Sequence, residues 1–495
     1  MIKGLAWTFF SIFALLSIII CYFIIKYYHS KKLSNGFSTF IATFSLVLPL
    51  LCFWILPVDV YSLTSKSFDH TSLKYGYYIL FGIILVFMFI LIPFAYFYSE
   101  DKGDEQTSQK SRIVWALIYT TITFIVIMVL FLIGLLAQPG STPQKNESWS
   151  KSIFNNETKG DSAIIFSIAC LLFISYFDFI KYTSYGISMF PISLIMKKNI
   201  KYQKEDVENQ QKIITERLQA IEVKYATSGK KMSRSDRGQK KQLIAEQERL
   251  SLFSKEIKIK SDNCCITCCD KLKVFSRIFG VLFAIISLFL IICFLITIIE
   301  QIWKSKCGIK CGFLLEKPTN NPFDKLMVVL GKHFPLDFIL LILVGAYLFI
   351  CSFYAITRLQ TRFLIWKMFS IYPHQTLSQG LLLLGMFLMG ITLIIMFEMM
   401  TLAPQYSTFG SKKNSSGNNC TINDPEDECP HSQISIIYSR IVGKMPFFSV
   451  VFYIFNWIFS TFSVLYFFYG FFKKRKLQSQ EERADYEILS DNDIN

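Results

Sequence analysis

The chain has 495 residues, of which 52% are hydrophobic and only 18% charged, with 49 Phe and 24 Tyr. Apolar runs of 20 or more residues recur, and about 20 are needed to cross a roughly 30 Å hydrocarbon core. A soluble multidomain protein is therefore excluded, and the lack of alternating ten-residue strands leaves a membrane barrel unsupported. The excess of 51 Lys and Arg over 36 Asp and Glu, a net +15, fits cytosolic positive charge and anionic lipid; nucleic acid is a poor partner for a chain this apolar.

The expected fold is an all-α polytopic membrane protein with nine transmembrane helices. The first span, 5–25, is too long and lacks the small-residue cleavage site of a signal peptide, so it reads as a signal anchor; Lys26, Lys31 and Lys32 follow it. The second, 40–56, ends in Leu56-Pro57-Val58-Asp59-Val60-Tyr61. The third is 77–98, the fourth 113–137. The fifth segment stays apolar from 163 to 196, too long for one straight crossing, and Pro191 is placed to break it into a span and an interfacial piece.

Residues 197–273 form the one long polar stretch, with 19 Lys and Arg against 11 Asp and Glu. Val207, Ile214, Leu218 and Ile221, then Leu243, Leu250, Phe253 and Ile257, recur at helical spacing. Thr227-Ser228-Gly229 and a basic run separate them. A cytosolic helical hairpin between spans five and six is expected; two independent surface helices are the alternative. Spans six to nine follow at 274–299, 334–356, 377–400 and 447–472, with a basic loop holding Arg358, Arg362 and Lys367 between seven and eight. The domains are thus 1–196, 197–273 and 274–472, with a cytosolic tail at 473–495 that opens on Lys473, Lys474, Arg475 and Lys476.

Four glycosylation sequons, at Asn146, Asn156, Asn414 and Asn419, fall in loops of one parity. The basic tail, the basic loop and the polar centre fall in the other. Positive-inside bias therefore puts the N-terminus in a lumen and the C-terminus in the cytosol; the lysines of the loop around Cys307 run against this. On that topology Cys307, Cys311, Cys420 and Cys429 are lumenal, where disulfides form, and the spacing leaves all three pairings open.

Cys264, Cys265, Cys268 and Cys269 sit at the cytosolic mouth of span six. Membrane-proximal paired cysteines suit acylation; half of a thiolate metal site, or no modification, are the other readings. In the tail, Tyr486 and Leu489 bracket two residues as in a peptide read by endosomal sorting adaptors. Asp178 and Lys181, three apart, and Glu398 are candidates for an intramembrane polar path; Asp59 and Asp337 lie at span edges. For each of these the first reading is an interfacial charge that snorkels, with a substrate or proton path as the alternative. His70, His333 and His431 are lumenal and suited to sensing acid, though scattered histidines more often do nothing. The phosphate-binding loop, His-Glu-x-x-His, Gly-x-Ser-x-Gly and the Asp-x-His-x-x-Gly pattern of some soluble cobalamin enzymes are all missing from the sequence, so no enzyme is expected.

Several strings in order across the chain carry a resemblance: Leu56-Pro57-Val58-Asp59-Val60-Tyr61, Ile92-Pro93-Phe94-Ala95-Tyr96-Phe97-Tyr98, Tyr182-Thr183-Ser184-Tyr185-Gly186, Phe334-Pro335-Leu336-Asp337 and Leu402-Ala403-Pro404-Gln405-Tyr406. The chain resembles the lipocalin-interacting membrane receptor (limb-region, LMBR-type) family over nearly its whole length. The resemblance implies a lysosomal multi-pass protein needed to export cobalamin to the cytosol, working beside an ATP-driven transporter. It leaves open whether cobalamin passes through the chain or the chain escorts that transporter, and it carries no catalytic residue, metal or cofactor site. A scaffold or receptor for endocytic adaptors and cargo is one alternative. A proton-coupled carrier of another solute is a second.

Overall fold

The structure is a computed structural model. It describes residues 2–29, 36–63, 70–100, 109–136, 159–196, isolated positions between 207 and 254, 266–306, 308–310, 312, 315–363, 366–369, 371, 376–444 and 446–472. It is mainly helical. In chain order the elements are α1 (Ile2–Tyr28), α2 (Gly36–Ser62), α3 (His70–Val86), α4 (Ile92–Glu100), α5 (Gln109–Leu136), α6 (Lys159–Asp178), α7 (Ser184–Ile195), α8 (Ile266–Lys304), α9 (Pro322–Leu330), α10 (Leu336–Leu359), the strands β1 (Thr361–Phe363) and β2 (Trp366–Phe369), α11 (Ser378–Leu402), α12 (Pro404–Phe409), α13 (Gln433–Lys444) and α14 (Pro446–Phe472). Short π-helical turns, Phe87–Leu91 and Phe179–Thr183, join α3 to α4 and α6 to α7.

Eight helices among the described residues are long and apolar enough to cross a membrane. The segment expected as span four lies in α5, where Ile113–Ile125 forms a shorter apolar run. In the polar centre the described positions, 207, 211–219, 221, 223, 247, 251 and 254, are helical, and Val207 and Ile214 are buried. Leu243, Leu250, Phe253 and Ile257 lie outside the described residues.

Three local expectations need correction. Span two does not stop at Leu56: α2 runs through Pro49 and Pro57 to Ser62, and Asp59 is fully buried. The fifth segment is not broken at Pro191, which sits inside α7; its interruption is the π turn at Phe179–Thr183. A proline leaves the carbonyl four residues earlier without its helical donor, and here the Ser287 hydroxyl donates to Ile187 O at 2.6 Å, a compensation that transmembrane helices commonly use. The basic loop after α10 is not plain loop, because Thr361–Phe363 and Trp366–Phe369 pair as an antiparallel hairpin.

The chain divides into two compact units, Met1–Ser188 with Ser287–Tyr466, and Met189–Ile286 with Phe467–Asn495. In the first, α2 and α11 pack together at the centre and are buried almost along their lengths. In a hydrocarbon solvent, burying apolar surface gives helices little reason to associate, so close packing of small residues takes over. Gly385 of α11 lies against Ser45 of α2, where an added Cβ would stand 2.0 Å from the hydroxyl; Gly390 meets Ser175 of α6 in the same way, at 2.3 Å. Gly345 of α10 makes room for the Phe53 ring, and Gly186 of α7 lies against the Cys351 carbonyl. α1 is peripheral: Trp54 Nε1 donates to Ser17 Oγ at 2.7 Å, while Leu15, Ile19 and Phe23 face outward. In the second unit, Ser276 Oγ donates to Leu194 O at 3.3 Å, and Gly280 and Gly470 admit Ile195 and Ile192.

Within the first unit, contacts fix which chain segments share a face. Asp59 of α2, Tyr78 of α3, the described residues between 305 and 335 and residues 403–444 meet on one face, which also carries the Cys420–Cys429 disulfide. The end of α1 meets residues 376–378 on the other: His29 bridges to Thr376, and its ring lies 3.3 Å from Ser378 Oγ.

The glycine contacts lead to a test. An alanine at Gly186 places its Cβ 2.0 Å from a backbone oxygen, so overpacking is expected to cost about 1–3 kcal/mol. Gly186→Ala should lower the melting temperature of detergent-purified protein. Gly82→Ala, where an added Cβ meets nothing within 4 Å, should not.

Candidate functional site

Polar chemistry concentrates on the disulfide-bearing face, where buried carboxylates hold backbone N–H groups at helix starts. The first turn of a helix has N–H groups without partners and a positive partial charge, so a carboxylate there satisfies both needs. Asp59 does this across the fold: its Oδ1 accepts from Gln433 N at 3.1 Å and its Oδ2 from Ile434 N at 2.8 Å, at the start of α13.

Asp324 does it for α12. Local sequence prepares its position, because Asn321 caps α9, accepting from Phe323 N at 2.9 Å, with Pro322 in the first turn. Asp324 then accepts from Gln405 N at 3.2 Å and Tyr406 N at 3.0 Å, and from the Thr319 hydroxyl. Tyr406 is held twice, since its hydroxyl donates to Asp337 Oδ2 at 2.8 Å. Asn321 also staples three elements: its amide donates to Thr297 Oγ1 of α8 at 2.6 Å and to Leu402 O of α11 at 2.8 Å. Gln405 Nε2 donates to Cys420 O at 2.9 Å. Cys420, Cys429, Leu315 and Phe409 form one apolar cluster, and the His431 ring packs 5.0 Å from Phe409.

Deeper in the helices, Glu398 is 1% exposed. Its carboxylate accepts from the Tyr176 hydroxyl of α6, and the Asn456 amide of α14, turned with its nitrogen inward, donates to both oxygens at 2.8 and 3.3 Å. Glu398 is thus packed among protein partners. Asp178 ends α6 and Lys181 lies in the following π turn. Both are half-buried, close enough to interact electrostatically, and the Lys181 ammonium lies 5.0 Å from the Tyr182 ring centre.

Asn414 lies in a tight turn, accepting from Asn418 N at 2.9 Å and donating to Asp424 Oδ1 at 3.3 Å. Asn419 is half-buried and bridges to Lys413. Cys268 and Cys269 lie in the first turn of α8, their side chains outside the described residues. Asn146, Asn156, Cys264, Cys265, Cys307, Cys311, Tyr486 and Leu489 are also outside them. Sequence reading missed Asp324, Tyr176 and Asn456, and it named Tyr406 only within the Leu402-to-Tyr406 string, without a role. Only Asp324 carried a local signal, the Asn-Pro-Phe-Asp helix start.

No group of His, Cys, Asp or Glu among the described residues is arranged to hold a metal ion. The arrangement ties helix ends together and stores two titratable groups of opposite tendency. Burial pushes the Asp324 carboxyl up to about 6, against the hydrogen bonds from Thr319, Tyr406 and Gln405. Burial pushes the His431 imidazole down to about 4.

Comparison with known proteins gives a consistent set of relatives. The model of the LMBR1-like membrane protein family matches residues 6–260. A Dictyostelium discoideum protein named "Probable lysosomal cobalamin transporter" is 33% identical, covering 95% of this chain and 96% of its own. Proteins named "Lysosomal cobalamin transport escort protein LMBD1" from Danio rerio and Homo sapiens are each 28% identical, covering 92% of this chain and 91% of their own. No solved structure matches.

The two shifted groups give opposite pH dependences. The Asp324 contribution is complete below about pH 4 and is lost as pH rises to about 6, by roughly 3 kcal/mol. The His431 contribution is complete above about pH 6.5 and is lost as pH falls toward 4, by a similar amount. His431→Gln should therefore raise the melting temperature relative to wild type more at pH 4.5 than at pH 7.5. Asp324→Asn should do the reverse, gaining ground on wild type as pH rises from 4 to 6. Equal offsets at both pH values would refute these assignments.

Proposed function

Because the chain belongs to the LMBR1-like membrane protein family, we propose that it serves export of cobalamin from lysosome to cytosol, as the escort of an ATP-driven transporter rather than as the conduit. The packing of α11 carries the choice of escort. This central helix is surrounded by protein, with Gly385 and Gly390 closed against Ser45 and Ser175. Cobalamin is large and polar, and its passage needs a wide cavity between helices. A glycine-sealed contact between the two central helices supports a rigid scaffold instead. The packed surroundings of Glu398 favour a helix-binding node over the proton path of a coupled carrier. The relatives' names, the sequon loops and the apolar helices support a multi-pass lysosomal location with a lumenal N-terminus and a cytosolic C-terminus. On this reading the polar centre and the tail are the parts within reach of sorting adaptors, and the work is non-enzymatic.

Two measurements test the reading. Vesicles holding the purified chain alone should show no cobalamin flux above protein-free vesicles, while vesicles that also hold the ATP-driven transporter should show ATP-dependent flux; flux through the chain alone would make it the conduit. The orientation has its own readout. If residues 403–444 are lumenal, glycosidase treatment should increase the gel mobility of the protein, and Asn414→Gln should remove one glycan-sized step.

A further inference from the structure

α9 joins α8 to α10 on the disulfide-bearing face and carries apolar side chains on both its inner and its outer side. Phe323 and Met327 are buried with Asp324 on the inner face. Outward, Pro322, Lys325, Leu326 and Val329 follow the i, i+3, i+4, i+7 spacing of one helical stripe and are all exposed, Leu326 at 43% and Val329 at 54%. An apolar stripe left open next to membrane spans needs a partner.

Two observations identify it. The first is continuity with the outward-facing surface of the neighbouring spans. α8 exposes Ile299, Ile302 and Trp303 at the end that leads toward α9, and α10 exposes Leu336, Ile339 and Leu343 at the end that leaves it. A tryptophan 71% exposed at the last turn of a span is the side chain that marks the headgroup level of a bilayer. The second is charge. Exposed Lys325 lies within the stripe and exposed Lys332 just beyond its end, so cations border the apolar strip as they do in helices that lie in an interface.

We propose that α9 is an interfacial helix. Leu326 and Val329 dip into the acyl boundary of the leaflet on the disulfide-bearing side, while Lys325 and Lys332 hold the phosphate of an anionic phospholipid. The inner face, through Asp324, holds the start of α12, so the bound lipid sits one helix diameter from the Tyr406 clamp.

The test uses the full chain in vesicles of phosphatidylcholine with one-fifth phosphatidylglycerol, carrying a photoreactive benzoylphenylalanine at Val329. Mass spectrometry of the crosslinked product should find phospholipid adducts, with the phosphatidylglycerol-to-phosphatidylcholine ratio raised about fivefold over its bulk value for each lysine engaged. The double variant Lys325→Glu, Lys332→Glu should return the adducts to the bulk ratio. The same probe at Leu343, within a span, should give lipid adducts at the bulk ratio, and at Gly417, in the exposed loop, none; this pattern confirms a folded, inserted protein in the variant as well. Adducts only to protein or water at Val329 would overturn the proposal in favour of a covering polypeptide, and adducts at the bulk lipid ratio would overturn the phosphate site. Neither result depends on cobalamin transport, so the escort reading stands or falls separately.

Discussion

The grip of Asp59 on the start of α13 closes the longest loop among the hydrogen bonds of the described residues. It joins the end of the second helix to backbone groups 374 and 375 residues later. Hydrogen bonds to a charged group contribute about 1.5–3 kcal/mol each in a protected site, and leaving such a group buried without them costs several kcal/mol. Asp59 is fully buried, so it tolerates neither partial engagement nor a shift of α13. Asp324 applies the same constraint to α12, and Asp337 extends it to the Tyr406 hydroxyl. Three carboxylates thereby set the relative positions of α2, α9, α10, α12 and α13. The cap of one membrane face is fixed by backbone capture together with buried Phe323, Met327, Ile422, Ile434 and Ile437 and the cluster around Cys420 and Cys429.

Below the cap the controlling term changes. Among lipid-facing helices, apolar burial contributes little to association, and contact distance decides. Gly385, Gly390, Gly345 and Gly186 each remove a Cβ at a point where two elements meet. The Glu398 node adds direction to this packing: Tyr176 comes from α6 and Asn456 from α14, so one carboxylate defines how two helices approach a third.

The helices themselves were legible from sequence because hydrocarbon thickness imposes a run length that no other environment requires. Their ends were less so. Proline reads as a breaker in water, yet Pro191 is carried inside α7 because Ser287 supplies the donor that its ring removes. Such a rescue comes from a residue nearly a hundred positions away and leaves no local trace. Asp324 was readable in principle from its helix start, whereas the Asp59 contact was not, since nothing near Gln433 announces a carboxylate from α2. Asp178, Lys181 and Glu398 were picked out together as charges in spans. The structure leaves the first two close enough to interact electrostatically and gives Glu398 its own partners on α6 and α14, a distinction that sequence spacing does not contain.

The burial of α2 and α11 against each other has a consequence for how the protein is made. The two helices are separated by the residues between Ser62 and Ser378, and synthesis at about 5–20 residues per second makes α2 wait roughly 15 to 60 s for its mate. During that interval the partners of Ser45 on α11 and of Asp59 on α13 are not yet translated. Packing of α2 against α11 is thus a late event in synthesis, and substitutions on the α11-facing side of α2 change no contact between the two helices until α11 itself is made.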